Sequence, residues 1–156
     1  HGLITGGLVL CVGIIYERVH DRELAHLGGL AHYMPTYAAL FGIIMLGSVG
    51  LPGLAGFVGE FLVMLGTFAV SPIAGWFSVA VIIIAACYLL WMFLRVMFVR
   101  LNTPRYEHEL IDLRPYEVLY LLPLVGLIIW VGVYPATWLG MLDPTVTHIL
   151  AQTVVK

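Results

Sequence analysis

A chain of 156 residues that is 62% hydrophobic and only 10% charged, with a mean hydropathy of +1.03, faces lipid over most of its length. Its net charge of -2 and seven Lys and Arg residues support neither the basic footprint of a nucleic-acid binder nor a polybasic lipid patch. Cys11 and Cys87 stand alone in apolar runs, without the spacing of a metal site or a disulfide framework, and read as buried small hydrophobes.

The chain opens on His1 and enters an apolar stretch at once, with no charged region of the kind that begins a signal peptide. It reads as the C-terminal part of something longer, forming one transmembrane domain over residues 1–156. Four apolar segments measure up against the roughly 20 residues that a helix needs to cross a hydrocarbon core. The first, 2–16, is short. The second, 36–70, would extend about 52 Å as one straight helix at 1.5 Å per residue, so it must tilt, break or double back. The third is 73–94, and the fourth is 118–134 with Pro123 inside it. A tail over 144–155 reads as a short interfacial helix.

The second segment is resolved by the distribution of positive charge, which favours the cytoplasmic or matrix side of short loops. Arg18 and Arg22 follow the first segment, while Arg95, Arg100, Arg105 and Arg114 surround the link between the third and fourth. For both groups to share the inner side, an even number of crossings must separate them. One interrupted span plus the third segment satisfies that; a tight pair of spans does not. The expected fold is therefore all-α, a polytopic transmembrane helix bundle with one Gly/Pro-broken helix. The break falls at Gly50, Pro52 and Gly53, where proline removes the amide that would bond to the carbonyl of Ser48. Irregular backbone at this depth is tolerated where it is buried or lines a wet cavity. Gly56 and Gly59 read as places where helices approach closely.

From Leu24 to Leu94 the only formally charged side chain is Glu60, just past the run GLPGLAGFVGE over 50–60. An ionisable residue at membrane depth costs about 2.5–3.5 kcal/mol on translocon scales and roughly 10–17 in simulations of an isolated charge, which makes it a functional candidate by default. A carboxyl among apolar groups resists ionisation, and water or a nearby cation restores it; a group so placed can exchange protons near neutral pH. Glu60 therefore reads as a proton carrier.

The run LPGLAGFVGEF over 51–61, with His1-Gly2 and YERVHDRE over 16–23, resembles the antiporter-like membrane subunits of respiratory complex I, the proton-pumping NADH:quinone oxidoreductase, of the subunit 4 (chain M) type. The paralogues usually carry lysine where this chain has Glu60. The resemblance implies that Glu60 is the terminal proton-accepting carboxylate on a broken helix and that His1 is a protonatable relay toward it. It also implies that NADH, FMN, the iron-sulfur clusters and quinone belong to partner subunits. This agrees with the lack of a Gly-rich dinucleotide turn or cysteine cluster in the chain. The implied partners are the other membrane subunits of complex I, including neighbouring antiporter-like subunits, in a bacterial or organellar inner membrane. A multisubunit cation/proton antiporter and a passive membrane scaffold are the alternatives.

His26 and His32 flank a glycine-rich turn on the inner side, as interfacial residues that would help deliver protons from the inner water phase. The mixed-sign cluster over 16–23 reads as a solvated cap with local ion pairs. Glu107, His108 and Glu109 lack a second pair of ligands for a metal. Trp76, Trp91, Trp130, Trp138, Tyr116 and Tyr134 fall near segment ends, as an interfacial belt places them.

Overall fold

The computed structural model describes residues 1–99 and 108–154, with side chains to 152; Arg100, Arg105, Glu107 and the last two residues lie outside this range. Seven helices and no strand occur among the described residues: α1 (Gly2–Val19), α2 (Leu30–Tyr33), α3 (Pro35–Val49), α4 (Ala55–Val70), α5 (Pro72–Met97), α6 (Pro115–Val133) and α7 (Ala136–Val154). Helices α1, α5 and α6 are each long and apolar enough to cross a membrane, and α3 and α4 are shorter apolar helices. Proline opens α3, α5 and α6, where its fixed φ suits the first turn and its missing amide costs no bond. Ser71 caps α5 by accepting the N–H of Ala74 at 3.4 Å.

The break between α3 and α4 begins at glycine, not at proline. Gly50 takes the left-handed conformation, φ 80°, with its N–H on the Gly47 carbonyl at 3.3 Å and the Leu51 N–H on the Leu46 carbonyl at 3.1 Å. This is the paired bonding of a Schellman terminus, which ends the helix before Pro52 can act on it. Pro52 and Gly53 then occupy the centre of a turn closed by the Leu54 N–H on the Leu51 carbonyl at 3.0 Å. Gly53 has φ 92°, which a type II turn requires at its third position.

Helix α5 settles how the two half-helices run. Its first turns pack on the end of α4, with Trp76 edge-on to Phe68 at 5.7 Å, and its last turns pack on the start of α3, with Phe93 stacked on Phe41 at 5.9 Å. It is therefore antiparallel to α3 and α4 taken in series, and the two together make one interrupted crossing. At 26 residues α5 is about 39 Å long, enough to flank both. The Arg18 and Arg95 ends meet on one side, where Arg95 donates to the Ala25 carbonyl at 3.4 Å and Arg18 reaches the start of α6.

The half-helices are held at the break by contacts that admit no side chain. A Cβ on Gly56 would collide with the Gly47 carbonyl, and one on Gly132 of α6 would collide with Gly53 and Leu54 backbone. Gly59, by contrast, has open space around it and is not a helix-contact glycine. Replacing Gly132 by Val is expected to destabilise the protein by about 1–3 kcal/mol, the cost of overpacking a tight contact. A thermal denaturation midpoint equal to the parent's would show that α6 does not clamp the turn.

Further expectations change. The first helix runs on to Val19 and includes Glu17 and Arg18, because Arg18 is not solvated. It is 9% exposed and paired at 2.7 Å with Glu117, itself 1% exposed. Thus the cluster over 16–23 is only partly a solvated cap. The final helix begins at Ala136 and carries Pro144 inside it, so the tail is longer than expected, with its residues from Leu139 to Gln152 exposed. A one-turn helix, α2, holds His32. Cys11 is buried as expected, but Cys87 is exposed on α5.

The inner end is tied by polar bonds. Asp112, in the link before α6, accepts the N–H of Thr36 at 3.0 Å and of Tyr37 at 3.1 Å, so it satisfies free amides of the first turn of α3. Partial burial pushes the Asp112 carboxyl up, but the hydrogen bonds from Leu113, Thr36 and Tyr37 outweigh it and hold its pKa below the usual value. Its stabilisation is present above the unfolded carboxylate pKa and is lost as pH falls through the lowered folded value. Asp112→Ala should therefore cost about 0.5–2 kcal/mol at neutral pH, and should flatten the acid limb of a stability-against-pH curve below about pH 4. An unchanged acid limb would remove Asp112 from that role.

Candidate functional site

The interrupted helix places Glu60 in the second turn of α4, with its side chain reaching back across the break. The carboxylate lies against Gly50, and a Cβ at that position would overlap its Oε2. Gly50 thus serves twice: it turns the chain, and its missing side chain leaves room for the acid. Opposite stand Val81, Ile82 and Ala85, at the middle of α5. Glu60 consequently sits level with the middle of α5 and opens onto clefts on more than one side.

Three clefts meet at this residue. The first, about 340 Å³, is lined by His1, Ile4, Gly47, Ser48, Ala55, Gly56, Gly59, Glu60 and Val63. It brings both of the sequence-expected proton groups, Glu60 and His1, to one cavity, together with Ser48 at the end of α3. The His1 ring is exposed, its Nε2 lying 3.2 Å from Thr5 Oγ1, so a hydroxyl already sits at hydrogen-bond range of the imidazole. The other two clefts are lined mostly by apolar side chains besides Glu60: one of about 270 Å³ opens between α4 and α5, and one of about 180 Å³ opens between the end of α3 and α5, with Ser48 on its wall.

His26 and His32 lie at the inner end, away from this cavity. His26 is exposed, with Nδ1 2.6 Å from Asp21 Oδ2 and Nε2 3.6 Å from Glu23 Oε2; the Asp21 hydrogen bond raises its pKa. His32 is also exposed and meets the Tyr33 ring edge-on at 5.1 Å. His108 and Glu109 are exposed in the link before α6, and no group of three metal-ligating side chains occurs among the described residues.

One element of the site and one tie at the inner end escape sequence reasoning. Ser48 enters the site as a side chain lining the cavity, whereas the sequence pointed only to its carbonyl. The Arg18–Glu117 pair also has no local signal, since the two residues are 99 positions apart. Arg18 Nη1 donates to Glu117 Oε1 at 3.0 Å and Nη2 to Oε2 at 2.7 Å, a fork-to-fork arrangement. The Arg18 guanidinium also donates to the carbonyls of Ile14, Ile111 and Asp112. This cluster joins the inner ends of α1 and α6 and, through Asp112, that of α3.

An apolar bundle with helices long enough to span a bilayer, and one interrupted helix that carries a carboxylate beside its break, defines an integral membrane protein with a discontinuous helix. Residues 1–101 match the family described as NADH:quinone oxidoreductase/Mrp antiporter, TM, and the chain belongs to that family. Among its relatives, NADH-quinone oxidoreductase subunit M of Rhodobacter capsulatus is 41% identical over 96% of this chain and 29% of its own length. The subunit M of Rickettsia conorii is 41% identical over 97% and 31%, and NADH-ubiquinone oxidoreductase chain 4 of Arabidopsis thaliana is 33% identical over 96% and 30%. The chain therefore spans about three-tenths of the length of these relatives.

Proposed function

We propose that this chain supplies part of the proton path in the membrane arm of an NADH:quinone oxidoreductase, with Glu60 taking up and releasing the proton and His1 serving as its relay across the shared cavity. The observation that carries the reading is the seat of the carboxylate against Gly50, with His1 and Ser48 on the same cavity wall. The likeness to subunits named for that oxidoreductase supports it.

On this reading the chain is a non-redox element of a translocase. NADH, FMN, iron-sulfur clusters and quinone are handled by companion subunits, and their chemistry is coupled to the protonation state of Glu60 through the membrane domain. The companions include the neighbouring antiporter-like subunits, and the membrane is the inner membrane of a bacterium or an energy-transducing organelle. His26 and His32 would gather protons at the inner water phase, where the Asp21 bond keeps His26 protonated to a higher pH than an isolated imidazole. The deciding experiment follows NADH-driven proton uptake into proteoliposomes holding the complete complex, with Glu60→Gln and Glu60→Asp in the full-length subunit. Assembly of the complex is scored alongside, because a passive scaffold would lose assembly rather than pumping.

A further inference from the structure

Glu60 is not the only residue shared between the two apolar clefts at the break. The larger is bounded by Gly50, Phe57, Phe61 and Met64 on one side and Val79, Ile82 and Ile83 of α5 on the other. The smaller is bounded by Ser48, Val49, Val81, Ile82 and Ala85. Only Glu60 and Ile82 line both. Ile82 therefore stands between the two apolar clefts, partly buried and near the middle of α5, on the helix that faces the carboxylate.

We propose that Ile82, backed by the stacked pair Phe57 and Phe61 (ring centroids 5.1 Å apart), is a hydrophobic gate that keeps the α4–α5 side of Glu60 dry. This rests on the assignment of Glu60 as the proton carrier. The polar groups His1 and Ser48 face Glu60 from the first cavity, and the apolar clefts on the far side hold no polar side chain apart from Glu60 and, in the smaller one, Ser48. Apolar constrictions in transport proteins close by shedding water and open when water enters. A carboxylate lying between a cavity with polar groups and a dry seam can accept a proton on the first side and deliver it only when the second is wetted. Because the larger cleft lies between α4 and α5 beside the break, a small displacement of α4 about Gly50 and Gly53 would widen it at Ile82 without disturbing the inner-end ties of α1, α3 and α6. Such hinges at element ends are a common means of gating. Ile82 is a positioning residue in this scheme: it touches no proton and sets which side of Glu60 is hydrated.

The test measures passive proton leak, without NADH, in proteoliposomes of the complete complex after an imposed pH step. Ile82→Asn, which places a polar side chain in both clefts, is expected to raise the leak several-fold, and Ile82→Val to leave it at the parental rate. Adding Glu60→Gln to Ile82→Asn is expected to return the leak to that rate, since the wetted route still passes through the carboxylate. NADH-to-quinone electron transfer, measured in each variant, reports that the complex has assembled. Should Ile82→Asn fail to assemble, Ile82→Ser is the smaller polar substitution and carries the same expectation. A parental leak in the assembled Ile82→Asn or Ile82→Ser complex overturns the gate, as does a raised leak that persists with Glu60→Gln. The Glu60→Gln variant alone separates this from the underlying assignment: if pumping survives it, the proton-carrier reading fails, whereas loss of pumping with a parental leak in the Ile82 variants removes only the gate.

Discussion

Glu60→Gln in the full-length subunit should abolish NADH-driven proton uptake through this path while leaving the complex assembled. The side chains match in shape, so the amide fits the space that Gly50 leaves beside the carboxylate, and neither the Schellman terminus nor the Pro52–Gly53 turn depends on the acid. What is lost is the exchangeable proton. Moving one charge through the membrane potential costs about 2.3 kcal/mol per 100 mV. A change of about 1.36 kcal/mol in relative stability of the two protonation states shifts a pKa by one unit. A swing of a few units between the cavity holding His1 and the apolar seam is thus of the size required, and an amide has no such swing. Glu60→Asp keeps the acid but withdraws it from Gly50 by one methylene, so intermediate pumping is expected. Undiminished uptake in an assembled Glu60→Gln complex would falsify the assignment.

The second large effect concerns stability. Glu117→Ala leaves the Arg18 guanidinium, only 9% exposed, facing a cavity where its carboxylate had been. Removing one partner of a buried ion pair typically costs about 3–5 kcal/mol, chiefly because the other charge remains buried and uncompensated. The loss here falls toward the lower part of that range, because three backbone carbonyls still accept from Arg18. The double replacement Arg18→Leu with Glu117→Leu should recover much of the loss, as paired apolar substitution often does. The measurement is a double-mutant cycle of Arg18→Leu, Glu117→Leu and the two combined, on thermal denaturation of the detergent-solubilised complex. If the two single changes proved additive, the pair would not be coupled, and the fastening of α1 to α6 would have to lie elsewhere.

The second effect also bears on transport. Arg18, Glu117 and Asp112 secure the inner ends of α1, α3 and α6. Farther along the same helices, Gly7 packs on Ile44, and Gly47 on Ile4 and Ile128. These contacts carry the fixed inner end out to the cavity at Ser48. Of the helices that line the cavity, α1, α3 and α4, only α4 has no fully buried residue. A static frame of α1, α3 and α6 beside a less committed α4 is the arrangement in which a hinge at the break would have its effect on Glu60 and on little else.

Much of this was legible in the residue string. A single acid in a long apolar run stands out because the membrane penalises it. Gly50, Pro52 and Gly53 announce an interruption through their backbone chemistry, and the arginines set the parity of crossings. These are local or compositional properties, and they required no knowledge of packing. The sequence also located the resemblance to the oxidoreductase's antiporter-like subunits, which the relatives support at the level of family.

Tertiary structure alone decided which side of each helix is inside. Where nearly every position is apolar, periodicity says nothing about burial, so Cys87 could not be told from Cys11, nor Gly59 from Gly56. It alone paired Arg18 with Glu117, because two charges far apart in the chain become partners only when two helices bring them together, and each looks solvated by itself. It alone put Gly50 beneath the Glu60 carboxylate and Ile82 between two clefts. Those relations depend on how α3, α4 and α5 overlap at the break, and that overlap is set by close packing among backbones, for which the chain carries no local code.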